Sequence, residues 1–213
     1  MKPLKTELQD AETLRDLGSA SVQIVHDLKN QLNGLKLYAT FLRKRMEKAG
    51  RPADEQETLA KLISGLERAA ADMNVLVRFG RTMELRRQPG TDLARLLQDS
   101  ADGAHVETDG GPFEGDFDPV LLAEALKNIT AGAFGESAAA DEASRVRLSG
   151  KDSWALVEWQ GAAAHAGSAD EDPFRSLAGA AGLRMALAAK IVRAHGGEVS
   201  SEGGRLRARL PLQ

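Results

Sequence analysis

Polar side chains that a helix would bring together stand at positions 26 to 30. His26, Lys29 and Asn30 are spaced at i, i+3 and i+4, so they would share one helical face. Asp27 lies directly beside the histidine. A neutral imidazole is a nucleophile near pH 7, because its ordinary pKa is about 6.5. Asp27 could hold the proton on one ring nitrogen, Lys29 could offset phosphate charge, and Asn30 could orient a phosphoryl oxygen or a water. One interpretation of these residues is therefore that they carry out phosphoryl chemistry. The alternative is an ordinary surface histidine, which is what a single histidine on a helix most often is.

The stretch around His26 has the pattern of a long amphipathic helix. Its apolar residues recur at spacings of three and four, or sums of these, which is the period of a helix that buries one stripe against other helices. The stripe consists of Leu14, Leu17, Ile24, Leu28, Leu35, Tyr38 and Leu42, widened by Val25 and Leu32. We expect this helix to span residues 11–48 and to hold His26 away from most of the stripe.

A second long helix is expected over residues 53–79, after a stop signal that contains Gly50 and Pro52. Its apolar seam alternates in steps of three and four, and consists of Leu59, Leu62, Leu66, Ala69, Met73 and Leu76. Two long helices joined by a short turn form an antiparallel hairpin. Because a hairpin cannot cover its apolar stripes alone, we expect two copies to pair into a four-helix bundle, as a homodimer. Packing of the hairpin on the rest of the chain is the alternative.

The pattern changes after Gly80, and residues 81–213 are expected to form a second domain beside the helical domain of residues 1–80. Alternating runs predict a strand hairpin at 105–108 and 113–117, strands at 145–148 and 154–159, and a final hairpin at 198–201 and 205–210. Asp118 caps a helix that reaches Phe134, and a helix over 183–195 ends at His195. The expected class is α+β, with helices on one face of a mostly antiparallel sheet.

The composition of the 213 residues excludes several classes of protein. A net charge of −3 gives no support for nucleic-acid binding. The absence of cysteine excludes disulfides and thiolate metal sites, and no ligand spacing accompanies the acidic run at 170–172. No apolar run approaches the roughly 20 residues of a membrane span, and the charged N-terminus lacks the core of a signal peptide. We expect a cytoplasmic protein without a metal site and without membrane contact.

The segment HDLKNQL resembles the H-box of two-component sensor histidine kinases, H-[DE]-L-[RK]-[NT]-P-L, with Gln31 in place of the proline. The resemblance implies that His26 is the phosphoacceptor and Asp27 its acid/base partner. By the same resemblance, Asn30 is the residue used in dephosphorylating a partner response regulator. Val22 precedes His26 by one turn and is our candidate for a residue that helps to seat the regulator.

The C-terminal text PFRSLAGAAGLRMALAAKIVRAHGGEVSSEGGRLRARLPL is similar to the end of a histidine kinase ATPase domain of the Bergerat, or GHKL, fold. That family reads P-F, then G-T-G-L-G-L-A, then I-V-x-x-H-G-G and a closing strand pair. The order of segments along the chain also agrees. The resemblance covers about residues 14–211, and it implies a dimerisation hairpin followed by a Bergerat-type α/β sandwich.

The nucleotide pocket of that family is altered at three places in this chain. Asn128 matches the first residue of the family's N-x-x-x-N helix, but Gly132 replaces the second. The D-x-G-x-G turn reads Trp-Gln-Gly-Ala-Ala at 159–163, which retains Gly161 but no carboxylate. The run G-L-G-L reads Gly-Leu-Arg-Met, where Gly182 stays and Arg184 replaces the second glycine. These departures predict that the chain does not use ATP.

An intact phosphoacceptor beside a degenerate nucleotide pocket resembles the dimeric histidine phosphotransferases of the ChpT type. The expected reaction moves a phosphoryl group between His26 and the aspartates of response-regulator receiver domains. The regulator would supply Mg²⁺, and the chain itself would bind no cofactor. Two alternatives stay open: a working histidine kinase with an unusual ATP site, and a non-catalytic scaffold that binds a regulator.

Overall fold

The computed structural model describes residues 4–50, 52–135, 144–160, 172–202 and 205–213, and for residues 4–22 it describes the backbone alone. Two compact units divide the chain, Met1–Thr82 and Met83–Gln213. Within the described residues, no helix combines the length and the hydropathy that crossing a membrane requires.

The first unit is a hairpin of two helices, α1 over Leu4–Lys48 and α2 over Ala53–Gly80. Helix α1 starts at Leu4 and not at residue 11, so the polar segment expected to precede the helix is helical as well. The charges at the turn fit the helix dipoles, because Arg45 and Lys48 end α1 and Asp54 and Glu55 begin α2.

Few of the described residues of the two helices are buried within the single chain. Ile63 and Val77 of α2 are buried, and Ala39 of α1 is buried as well. Leu62, which the prediction placed in the seam, is 54% exposed, whereas Ile63 is only 6% exposed. Positions 63 and 77 lie two heptads apart and therefore face α1 together. The single chain leaves Leu62 uncovered, so its place in the seam of a paired bundle stays a prediction.

The second unit contains three helices and seven strands in its described residues. The helices are α3 over Leu93–Ser100, α4 over Pro119–Phe134 and α5 over Gly179–Ala194. The strands are β1 over Gln88–Asp92, β2 over His105–Asp109, β3 over Glu114–Phe117, β4 over Arg145–Lys151, β5 over Trp154–Gln160, β6 over Glu198–Glu202 and β7 over Arg205–Pro211. This order of elements confirms the predicted α+β class.

Five strands form one sheet in the order β2-β4-β5-β7-β6, and β1 pairs with β3 separately. Strands β2 and β4 are parallel, and the other neighbours are antiparallel. The predicted hairpin of 105–108 with 113–117 is wrong, because β2 and β3 belong to different sheets. Gly110 and Gly111 between them adopt positive φ angles of 95° and 136°, which lets the chain leave the first sheet and reach the second.

The core of the second unit lies between the helices and one face of the five-stranded sheet. Alternate residues of β5 point inward, and Ala155, Val157 and Trp159 are all fully buried. The opposite face carries ion pairs between strands, such as Arg147 with Asp109 and Arg207 with Glu158. The sheet therefore has one apolar and one charged face, and α4 and α5 supply the apolar cover.

Candidate functional site

The side chain of His26 lies on the surface of α1 in contact with two of its predicted partners. Its Nδ1 atom is 3.4 Å from Asn30 Nδ2 and 3.6 Å from Asp27 Oδ1. The His26 side chain is 43% exposed and the Asp27 side chain 60% exposed. The i, i+4 spacing of His26 and Asn30 thus brings an imidazole and a carboxamide together where a second protein can approach them.

Both contacts of the His26 ring are made by the same nitrogen. In the described part of the chain, no hydrogen bond or ion pair involves the other ring nitrogen, Nε2. The Asp27 carboxylate favours a proton on Nδ1 through its charge, whereas the Asn30 Nδ2–H group can donate only to an Nδ1 that carries no proton. A half-turn of the Asn30 amide brings its oxygen to Nδ1, and both neighbours then accept from Nδ1–H. In that arrangement the lone pair lies on Nε2.

Gln23 is a member of this group that the sequence reasoning missed. Its Nε2–H donates to Asp27 Oδ1 over 3.1 Å. The acceptor is the same carboxylate oxygen that faces the His26 ring. The signal was present in the spacing, since Gln23 precedes Asp27 by four residues and an amide and a carboxylate at i, i+4 meet on a helix.

Two other predicted residues take no part in these contacts. Lys29 is half-buried on α1, and within the described residues it makes no hydrogen bond or ion pair with His26 or Asp27. Val22 lies within α1, but its side chain is outside the described part of the chain. A role for Lys29 in phosphate binding and a role for Val22 in seating a partner both stay predictions.

The predicted apolar stripe of α1 is uncovered in the single chain. Five of its members are exposed to solvent, namely Ile24, Leu28, Leu35, Tyr38 and Leu42, and the flanking Val25 and Leu32 are half-buried. Leu37 and Phe41 are exposed as well. Leu37 follows His26 by about three helical turns and therefore lies on the His26 side of α1 rather than in the stripe. Helix α1 thus presents the apolar stripe on one side. On another side it presents the polar group around His26, followed along the helix by Leu37 and Phe41.

The positions that correspond to the family's nucleotide pocket are filled by side chains of the second unit. Gly132 of α4 packs directly against Met185 of α5, and a Cβ atom at position 132 would overlap the Met185 sulfur. Met185 is almost fully buried. An asparagine at position 132, as the family pattern has it, has no room beside this methionine. Asn128, one turn earlier on α4, is half-buried.

Trp159 stands where the resemblance places the adenine-binding carboxylate. Its side chain is fully buried, and its Nε1–H donates to Thr130 Oγ1 of α4 over 2.9 Å. An indole is a donor only, so it cannot accept a hydrogen bond from an exocyclic amine as a carboxylate does. The hydrogen bond instead ties β5 to α4 through the interior.

The remaining pocket residues have ordinary structural surroundings. Gly182 in α5 is buried, and a Cβ atom there would lie 3.0 Å from the Ser176 carbonyl oxygen, so a side chain would crowd the segment that precedes the helix. Arg184 is exposed. Gly161 lies outside the described residues. Across the described chain, no three His, Cys, Asp or Glu side chains are grouped so as to hold a metal ion.

His195 ends α5, as its position before two glycines predicts, and both of its ring nitrogens are engaged. Nδ1 lies 2.8 Å from the Ile191 carbonyl oxygen, and Nε2 accepts the backbone N–H of Asp118 over 3.0 Å. Burial lowers the pKa of His195 below its usual value, and the Arg87 cation acts in the same direction. The Ile191 carbonyl and the carboxylates of Asp118 and Asp116 act against that shift. This imidazole is a neutral structural link and has no free nitrogen for chemistry.

The connector before β1 is fixed at the same place. The Arg86 backbone N–H donates to Asp118 Oδ2 over 2.8 Å, and the Arg87 guanidinium donates to the Ala194 carbonyl oxygen over 3.0 Å. Burial of Asp118 raises its pKa, but the backbone N–H groups that it accepts at Leu121, Arg86 and Val120 outweigh that effect, and the pKa of Asp118 is lowered. The start of the second unit is therefore tied to the ends of α4 and α5.

Comparisons with known proteins identify the fold. No protein-family model and no curated protein matches the chain. The crystal structure of full-length ShkA in complex with AMPPNP aligns with 89% of this chain at a TM-score of 0.64 and 18% sequence identity. The alignment covers 44% of the ShkA chain, so this chain spans less than half of its length. The Acinetobacter baumannii histidine kinase AdeS aligns with 84% of this chain and 94% of its own, at a TM-score of 0.50 and 14% identity.

Sequence identities this low establish the fold and nothing finer. The chain has a histidine-kinase-like fold, in which a helical N-terminal region precedes an α/β domain that resembles the GHKL catalytic domain. Fold alone does not define an activity. The chemistry must therefore be argued from the residues of the two sites.

Proposed function

We propose that this protein is a histidine phosphotransferase of a two-component phosphorelay. His26 accepts a phosphoryl group from the aspartyl phosphate of one response regulator and donates it to the aspartate of another. The second unit does not supply the phosphoryl group from ATP. The receiver domains of the regulators are the partners, and they bring the Mg²⁺ that the transfer requires.

The observation that carries the proposal is the contrast between the two sites. His26 has a 43% exposed side chain, and its described polar contacts, with Asp27 and Asn30, are both at Nδ1. In the second unit, Trp159 is buried at the position of the family's adenine-binding carboxylate. Met185 is buried against Gly132, which stands at the position of the family's second asparagine. These observations support a nucleophile that another protein can reach, and they argue against a nucleotide pocket in the second unit.

The transfer follows from the protonation state of the ring. The Nε2 lone pair attacks phosphorus, the acyl P–O bond breaks, and its electron pair leaves with the regulator's aspartate. The ring then carries substituents on both nitrogens and is cationic, and the Nδ1–H donates to Asp27. Asn30 contacts the ring at Nδ1, and we assign to it the orientation of a phosphoryl oxygen or a water during the transfer. Transfer to the second regulator is the reverse of these steps.

The exposed residues of α1 support two protein interfaces for this function. The apolar stripe that includes Leu28 and Leu35 is suited to a second copy of the chain, because pairing two hairpins would bury both stripes in a four-helix bundle. The exposed Leu37 and Phe41 lie on the His26 side and are suited, with Val22, to the regulator. A homodimer would therefore leave both copies of His26 accessible.

The test is a labelling experiment with two phosphoryl donors. One sample of the purified protein receives gamma-labelled ATP and Mg²⁺, and another receives a phosphorylated receiver domain from the same organism. We expect label from the receiver domain and none from ATP. The label should be lost in His26→Ala and kept in His105→Ala, because His105 is also an exposed histidine but lies on β2.

The other outcomes identify the alternatives. Label from ATP that is lost in His26→Ala would mean a working kinase, in which the filled pocket opens for nucleotide. If a folded protein takes no label from ATP or from any of several receiver domains, yet still binds one of them, the protein is a scaffold. Label from a receiver domain that persists in His26→Ala would place the acceptor elsewhere and contradict the proposal.

A further inference from the structure

We propose that Gln23 is a positioning residue for the phosphoryl transfer: its side-chain amide holds the Asp27 carboxylate against Nδ1 of His26. The inference deepens the proposed phosphotransferase function and rests on it. It comes from one shared atom, because Asp27 Oδ1 accepts the Gln23 Nε2–H at 3.1 Å and is also the oxygen that lies 3.6 Å from His26 Nδ1.

Asp27 needs such a support because of where it lies. Its side chain is more than half exposed and adjacent in sequence to His26, so successive side chains on the helix diverge rather than face each other. An unsupported carboxylate at this position would exchange between rotamers and bind water. The Gln23 amide stands one turn earlier, and its hydrogen bond selects the rotamer in which Oδ1 is turned toward the ring.

The held oxygen acts at the step where charge develops. While the N–P bond forms at Nε2 and the acyl P–O bond breaks, positive charge develops on the ring and the Nδ1–H becomes a stronger donor. A carboxylate oxygen already aimed at Nδ1 stabilises that charge without reorganising. Before the attack, the same oxygen keeps the proton on Nδ1 and the lone pair on Nε2. Gln23 therefore affects the attack and the population of the reactive tautomer, in both directions of transfer.

The group is a chain of four polar side chains along one strip of α1. Gln23 contacts Asp27, Asp27 lies against His26, and His26 contacts Asn30. Positions 23, 26, 27 and 30 are related by steps of three and four, which is why one helix can carry the whole chain. Only the first link, from Gln23 to Asp27, makes no contact with the ring, so changing Gln23 tests positioning without removing a group that touches the reacting atoms.

The experiment compares three substitutions at Gln23 with a matched control. Gln23→Ala removes the amide, and Gln23→Glu keeps its shape but replaces the donor by a second carboxylate. Gln23→Lys restores an N–H donor four residues before Asp27. Asn33→Ala is the control, because Asn33 is another exposed amide of α1, and within the described residues it forms no hydrogen bond to the His26 group.

Two readouts are taken on the full-length protein. The rate of label transfer from a phosphorylated receiver domain is measured as a function of receiver concentration. Loss of one exposed hydrogen bond to a charged group should lower kcat about three- to tenfold in Gln23→Ala, with KM unchanged. Gln23→Glu should be slower still, and Gln23→Lys should return to within about twofold of the wild type. The second readout is ¹⁵N NMR of the His26 ring at pH 8, where the Nδ1–H tautomer should decline in Gln23→Ala and stay unchanged in Asn33→Ala.

The results separate this inference from the proposed function. An unchanged tautomer ratio with a kcat within twofold of the wild type would overturn the positioning role. A rise in KM alone would also overturn it, because Gln23 would then contact the partner directly. If no receiver domain labels the wild-type protein, the phosphotransferase proposal fails, and the NMR measurement still decides whether Gln23 controls the state of His26.

Discussion

His26 and His195 show how the surroundings of an imidazole decide its use. The His26 side chain is 43% exposed, and its described polar contacts are both at Nδ1. His195 is buried, and its two nitrogens bind the Asp118 backbone N–H and the Ile191 carbonyl oxygen. A nucleophile needs a free lone pair at an accessible nitrogen, and a structural link needs neither. His26 is therefore open to the proposed chemistry, whereas His195 serves the fold of the second unit.

The pH dependence of stability should report the state of His195. Because burial holds the pKa of His195 below its usual value, the unfolded chain binds a proton more readily than the folded one. The stabilisation is then fully present above the unfolded pKa of about 6.5 and is lost as the pH falls below it. At pH 5.5 the loss from this one group is at most about 1.4 kcal/mol relative to pH 7.5.

Urea unfolding followed by tryptophan fluorescence measures this loss directly. Trp154 and Trp159 are the two tryptophans of the chain and both lie in β5, so the signal reports the second unit. His195→Gln removes the titrating group, and we expect its free energy of unfolding to fall less between pH 7.5 and 5.5 than that of the wild type. His105→Gln, which changes an exposed histidine, should keep the wild-type slope. Equal slopes for all three proteins would contradict the prediction.

At the scale of elements, α4 and α5 pack closely because a small residue on one helix faces a large residue on the other. Gly132 leaves space on α4, and Met185 of α5 fills it. Trp159 adds a hydrogen bond from β5 to Thr130 of α4. At these two positions, 132 and 159, the interior is packed with buried apolar side chains.

Restoring an asparagine at position 132 should therefore destabilise the second unit. The new side chain overlaps Met185, and overpacking of this kind costs about 1–3 kcal/mol in the free energy of unfolding. We expect Gly132→Asn to lower that free energy in urea unfolding and Met185→Ala, combined with it, to recover part of the loss through the coupling of the two sites. Ala131→Asn is the control, since residue 131 is the exposed neighbour on α4. Additive effects in the double variant would contradict direct packing between positions 132 and 185.

Local signals in the sequence were sufficient to predict an element of the fold where its own residues determine it. Asp118 followed by proline predicted the start of α4, and its carboxylate accepts the N–H groups of Val120 and Leu121. The pairing of β2 with β4 was not predictable in this way, because it joins strands about 40 residues apart and the nearer β3 has a similar alternating pattern. The burial of Ile63 against the single-chain hairpin was not predicted, because the sequence alone does not distinguish its face of α2 from the neighbouring face that carries Leu62.

The candidate site likewise has features that local sequence signals predicted and features that only the structure shows. The types and spacing of His26, Asp27 and Asn30 indicated a phosphoacceptor, and the helix brings their side chains into contact. Gln23 was missed because the motif was interpreted forward from the histidine, although the i, i+4 rule applies backward from Asp27 as well. The replacement of pocket groups by Trp159 and Met185 needed the structure, because a sequence shows which residues are lost but not what fills their volume.

At the scale of the whole molecule, the single chain leaves apolar surface that a second copy would cover. The exposed stripe of α1 continues for five turns on one side of the helix, from Ile24 to Leu42. A stripe of this length on a monomer is a typical interaction surface. The core of the hairpin itself is small, with Ala39, Ile63 and Val77 as its buried apolar residues among those described. The stability of the first unit should therefore depend on association.

A charge placed in the middle of the stripe should separate the proposed dimer. In Leu35→Glu, pairing would bury a carboxylate without a partner, which costs several kcal/mol, so the variant should sediment as a monomer where the wild type sediments as a dimer. Helix content measured by circular dichroism should decline with it, because the hairpin loses its cover. Asn33→Glu introduces the same charge two residues earlier on the His26 side of α1 and should stay dimeric. A monomeric wild type, or a dimeric Leu35→Glu, would mean that the stripe is covered by something other than a second copy of this helix, and the four-helix bundle would have to be abandoned.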